Sequence, residues 1–161
     1  MPPKQSDRLP PHDLDAERGA IGSILLDSER LAEVAAVIRP DHFHSHAHQV
    51  LFRHLLVMGK AGEHAAGRRS VDFTLLVGRL TDAGQLAEVG GYYYLAQVLQ
   101  GAPLSCHAVY YARRVLWMAG RREVIVMAER LLEQAYSGTI PPDSERARRL
   151  IDGPATRPVE S

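Results

Sequence analysis

Cysteine is almost missing from this 161-residue chain: Cys106 stands alone, so neither an internal disulfide framework nor a thiolate cluster for zinc is available. Net charge is missing too. Lys+Arg and Asp+Glu each total 19, which excludes the broad positive field with which a protein grips duplex DNA unaided. No apolar run approaches the roughly 20 residues that span a bilayer, and the opening Met1-Pro-Pro-Lys-Gln-Ser-Asp-Arg8 lacks the apolar middle of a secretory signal. A reducing cytoplasm, with no membrane partner, is the expected setting. Four catalytic signatures are absent as well: the GxxxxGK[ST] phosphate loop, GxGxxG, HExxH and GxSxG. Carboxylates are plentiful, but they fall on helix ends and polar faces instead of in a pairing that would separate their pKa values.

What the chain does have is 45% apolar and 24% charged residues, the composition of one ordinary globular core. Residues 1–12 carry four prolines among polar neighbours and read as a flexible arm. From Asp13 onward the apolar positions follow helical spacing. Ala16, Ala20, Ile21, Ile24 and Leu25 make a first helix, with Asp13, Asp15 and Glu17 at its N-terminal end, where the helix dipole favours negative charge. Gly19 and Gly22 are placed to let a neighbouring helix approach closely. Leu31, Val34, Ala35 and Ile38 make a second helix that Pro40 must end. A third runs from Ser45 to about Lys60, and 59–70 reads as a loop. Asp72 caps a fourth helix, and residues 92–100 form a fifth. From Ser105 a helical face continues for about 30 residues through Val109, Ala112, Val115, Ala119, Val126 and Leu131, with a bend expected near Gly120. That length exceeds an ordinary globular helix, so part of it should pair with another chain. No period-2 strand or internal repeat is evident. The expected fold is all-α: a globule of about five short helices plus one long helix.

Three stretches invite chemistry. His42, His44, His46 and His48 alternate, with His54 close behind. On a strand they would form a metal grid; on a helix, alternate residues diverge by about 200° and the grid dissolves. Ser45 as a cap favours the helix, which places His48 with Leu51, Phe52 and Leu55, His46 with Gln49 and Arg53, and His42 and His44 ahead of the first turn. A histidine-rich metal-binding protein remains an alternative. Cys106 and His107 adjoin, but neighbours on a helix diverge by about 100°, so no thiol–imidazole dyad is expected, only a half-buried thiol at a helix start. Tyr92, Tyr93 and Tyr94 are spread round a helix, so at least one ring should be buried. Arg113, Arg114, Arg121 and Arg122 stack two turns apart as a basic stripe for partner or phosphate contact. Used on its own, that stripe would mark an independent DNA-binding domain, a second alternative.

Several phrases together resemble the N-terminal domain of DnaB-type replicative DNA helicases. They are Pro10-Pro11-His12-Asp13-Leu14-Asp15-Ala16-Glu17, Ile21-Gly22-Ser23-Ile24-Leu25-Leu26-Asp27, Asp41-His42-Phe43 with His48 and Phe52, Gly84-Gln85-Leu86 with Val89, Gly90, Gly91, Tyr94 and Leu95, and Ala112-Arg113-Arg114-Val115. Their order and spacing follow that domain over residues 9–137. The resemblance implies a helical domain at 13–137, a globule whose long last helix begins a helical hairpin, shortened here because only 143–151 can be helical between Pro142 and Gly153-Pro154. It implies a collar that pairs copies in a hexameric ring and docks primase, a loader or other primosome factors, touching DNA only indirectly or weakly. It also implies a non-catalytic role with no cofactor of its own, since ATP and Mg²⁺ belong to a separate motor domain. Residues 138–161 are expected to be a short helix and a tail, and where His44 stands the family pattern has a tyrosine.

Overall fold

The computed structural model describes residues 8–61, 64–65, 68–69, 71–101 and 105–138. The expected helix at 143–151 and the first seven residues of the arm lie outside the described residues. The architecture is all-α: α1 (Leu14–Leu26), α2 (Arg30–Ala35), α3 (His46–Ala61), α4 (Phe73–Asp82), α5 (Gly91–Gln100) and α6 (Ala108–Tyr136), with single 3-10 turns at Pro40–His42 and Ser105–His107. One difference from the sequence reading lies within 59–70. There an antiparallel ladder of two residues each, β1 (His64–Ala65) and β2 (Arg68–Arg69), interrupts the expected loop. Such a short ladder leaves the fold class unchanged. The chain divides into two compact units, Met1–Arg122 and Glu123–Ser161.

In the first unit α1 is the buried centre, and it packs against α2, α3, α5 and the Ser105–His107 turn. Asp13 starts it, its Oδ1 accepting the Ala16 N–H at 3.0 Å, and Asp15 and Glu17 follow in the first turn. Ala20, Ile21 and Ile24 are fully buried. Gly19 is required by packing: a Cβ there would stand 2.9 Å from carbons of the Tyr111 ring of α6. The helix ends at Asp27, whose carboxylate takes the Glu29 N–H at 3.1 Å and the Arg30 Nε–H at 3.0 Å and so begins α2. Arg39 precedes Pro40 and is extended, as proline demands of its predecessor; the 3-10 turn and then α3 follow.

The amphipathic stripe of α3 delivers Val50, Leu51, Phe52, Leu55 and Met58 to the core. Asp72 caps α4 through the Thr74 and Leu75 amides at 2.7 and 3.1 Å, with Leu76 and Leu80 turned inward. Gly90, at φ +93, adopts the left-handed geometry that opens α5. A side chain there would also collide with Tyr94, whose Cβ is 2.9 Å from the position a Cβ would take. Ala108, Ala112 and Val115 of α6 complete the core. α6 stays helical through Gly120, because one interior glycine costs only about 1 kcal/mol.

Candidate functional site

The loop between α2 and α3 enters α3 with free N–H groups, and a buried carboxylate from α1 meets them. Glu17 Oε1 accepts the His44 N–H at 2.6 Å and Oε2 accepts the Ser45 N–H at 3.2 Å. Oε2 also lies 2.7 Å from His48 Nδ1, and His48 Nε2 lies 2.7 Å from the Tyr94 hydroxyl. Glu17 and His48 are 2% and 1% exposed. A carboxylate at a helix N-terminus is favoured by the dipole, and three N–H donors replace the water it has lost. Burial raises the Tyr94 phenol above its ordinary value, Arg18 opposing this and Glu17 adding to it, so the hydroxyl keeps its proton. A carboxylate only accepts, so Nδ1–H donates to Glu17, while Nε2 shares a hydrogen bond with a hydroxyl that can donate or accept. The His48 and Tyr94 rings stack with centroids 6.0 Å apart, and Phe43 packs edge-on to His48 at 6.3 Å and against Phe52 at 5.2 Å.

A Glu–His–Tyr chain suggests proton relay, but its first two members are closed off from any substrate. Its work is to tie α1, α3 and α5 together. Glu17, Phe43, His48, Phe52 and Tyr94, expected as pattern residues, converge on this brace. Leu95 is buried beside it in α5, Gly90 and Gly91 shape the entry to that helix, and Gly22 is buried in α1. The sequence held each residue but not their meeting, because Glu17 and His48 are 31 positions apart and His48 and Tyr94 are 46. No local periodicity reports that.

The other histidines are separately engaged. His42 Nδ1 accepts the Arg39 N–H at 3.2 Å, His44 stacks on His12, His46 pairs with Glu88 at 2.7 Å, and His54 meets Gln85 at 2.9 Å. Among the described residues no three His, Cys, Asp or Glu side chains gather as metal ligands would. His46 is the first cause of the lowered pKa of Glu88, with Gln85 next. The half-buried thiol expected at Cys106 needs correction: the residue is exposed, because it sits on the 3-10 turn before α6 and not on the helix. Tyr92 and Tyr93 are exposed while Tyr94 turns inward, so the helix splits the triplet as its geometry requires.

The four arginines do not act alike. Arg114 Nε donates to Asp13 Oδ2 at 2.8 Å, and this bond, then the Ala16 amide, holds the Asp13 carboxyl below its ordinary range. Arg122 donates to the Pro11 carbonyl at 2.8 Å and the His42 carbonyl at 2.6 Å. Arg113 and Arg121 are exposed. Arg122 thus fastens the end of the expected arm, and Arg114 the cap of α1, a role that only contacts about a hundred residues apart could reveal. Among the described residues no helix is long and apolar enough to cross a membrane.

A helical globule braced in this way, with a long helix at its end, is of the class that begins replicative DNA helicases. The family model of the DnaB-like helicase N-terminal domain matches residues 9–116, and the chain belongs to that family. Over 132 residues the chain is 31% identical to the replicative DNA helicase DnaC of Bacillus subtilis (strain 168), a match covering 82% of this chain and 28% of that protein. The replicative DNA helicase DnaB of Geobacillus stearothermophilus is 30% identical with the same shares, so the chain spans a little over a quarter of these relatives' length. The crystal structure of the N-terminal domain of DnaB helicase from Mycobacterium tuberculosis superposes with a TM-score of 0.77 at 29% identity, over 90% of this chain and all of that one. A structure of a DnaB-like replicative helicase and its interactions with primase shares the fold, at TM-score 0.67 and 22% identity, over 91% of this chain and 32% of that one.

Proposed function

We propose that the chain is a non-catalytic association module in DNA replication, a collar-type domain with residues 13–137 as its helical body. It joins copies of itself or helicase subunits and presents a surface on which primase or a loader docks. The observation that carries this reading, beside the family membership, is the large apolar residues that α6 leaves exposed in each unit. Trp117 of the first unit is 65% exposed, and Val124, Met127 and Leu132 of the second are 66%, 60% and 47% exposed. Exposed large apolar residues recurring on one helix mark an interaction surface more often than ordinary protein exterior. Arg113 and Arg121 are exposed four residues to either side of Trp117 and supply polar contacts beside it.

Primase is the first partner to test, since one fold-level neighbour is a DnaB-like helicase characterised with its interactions with primase. Immobilised protein should retain purified primase or helicase, and Trp117→Ala should weaken retention about tenfold or more, the loss expected of a buried aromatic anchor. Retention of neither by the intact protein contradicts the proposal. The purified chain should also show no DNA-stimulated ATP hydrolysis, because it carries no GxxxxGK[ST] loop.

A further inference from the structure

Residues 9–12 precede the Asp13 cap of α1 and are held from outside. The Pro11 carbonyl accepts from Arg122 of α6 at 2.8 Å, and the His12 ring lies on the His44 ring, centroids 4.6 Å apart and planes inclined by 16°. His12 Nδ1 is 2.7 Å from the Pro10 carbonyl, which fixes the imidazole against its own segment. The same Arg122 guanidinium bonds the His42 carbonyl, so it stands between the segment and the loop that carries His44. We propose that His12 and His44 form an acid-released latch: uncharged, the stacked rings hold residues 9–12 against α6 and the entrance to α3, and proton uptake separates them.

The charges around the stack favour release. Glu17 of α1 faces His44 but is already committed to the His44 and Ser45 amides and to His48. Asp13 is committed to Arg114 and the Ala16 amide. Arg39 bonds Asp41 and faces His42, and Arg122 of α6 uses its donors on two carbonyls and has no carboxylate partner among the described residues. A proton arriving on either ring therefore meets a fixed cation and a second imidazole stacked 4.6 Å away. Shielding of His44 lowers its pKa from 6.5, and His12 and Arg122 lower it further against the opposing pull of Glu17. Asp13 stays ionised over this range, so the α1 cap persists while the segment before it detaches.

The test uses the intact protein. Heteronuclear ¹H–¹⁵N NOEs of the Leu9 and His12 amides are followed with the ring proton shifts of His12 and His44, from about pH 8 to about pH 5, where imidazoles titrate. The latch predicts that both amides lose their NOE as His44 titrates, with a midpoint below 6.5, while α3 amides keep theirs. His44→Phe retains a stacking face that cannot charge, and should hold the segment ordered to the acid end. Unchanged NOEs in the wild type while His44 titrates overturn the proposal, as does loosening of His44→Phe at the wild-type pH. If that variant does not fold, His12→Phe gives the same reading from the other ring, and the wild-type titration needs no variant.

Discussion

Glu17 would pass for a surface helix residue in any composition count, yet it carries the most consequential polar contacts in the globule. Glu17→Ala leaves two amides and an imidazole without their acceptor in a buried site. A buried donor left unpaired costs about 1–3 kcal/mol, which chemical denaturation would register. Tyr94→Phe removes a single hydrogen bond and should cost only about 1 kcal/mol. The same variant has a pH signature. Because the Tyr94 pKa is raised above 10.0, the folded state keeps a proton that the unfolded state has lost, so stability is full below 10.0 and falls as pH rises through the folded value. Tyr94→Phe should flatten that alkaline decline. Asp13 works in the opposite sense. Its pKa is held below 3.8, so the stability it contributes is present above 3.8 and is lost as pH falls through the folded value. A denaturation series should show a shallower acid limb in Asp13→Asn. The sequence marked both residues as helix-end charges, which is what their local pattern states. Their partners, Arg114 for one and the α3 entrance for the other, come from distant elements, and only the folded chain reports them.

Elements were more legible than contacts because helices announce themselves through neighbours three and four apart. The apolar face of α1, the stop at Pro40, the Asp72 cap and the long run of α6 all follow from such local rules. The short ladder at His64–Ala65 and Arg68–Arg69 did not, since two residues per strand give no period to detect. Gly19 lies between these cases. Its place on an inner face suggested close packing, and Tyr111 of α6 supplies the close neighbour. Gly19→Ala should destabilise the fold by about 1–3 kcal/mol, the cost of overpacking a filled core. Pairing it with Tyr111→Leu should recover part of the loss, because residues in contact do not add independently. Additive losses in that double variant would show that the clash is relieved elsewhere.

For the whole molecule the question is why a small, neutral domain without a catalytic signature carries a helix as long as α6. The first part of that helix, through Ala108, Ala112 and Val115, finishes the core of the globule. Beyond it Val124, Ile125, Val126 and Met127 are each at least 42% exposed, a sequence of apolar residues that water does not favour. The association proposed above would cover those residues, and the chain belongs to the DnaB-like helicase N-terminal domain family. Sedimentation equilibrium over a range of concentrations tests this most directly, with the double variant Val124→Asp, Met127→Asp as its control. The account predicts a mass that rises above the 17.8 kDa monomer with concentration in the wild type and remains at 17.8 kDa in the variant. A wild-type protein that remains at 17.8 kDa at every concentration, indistinguishable from the variant, would contradict it.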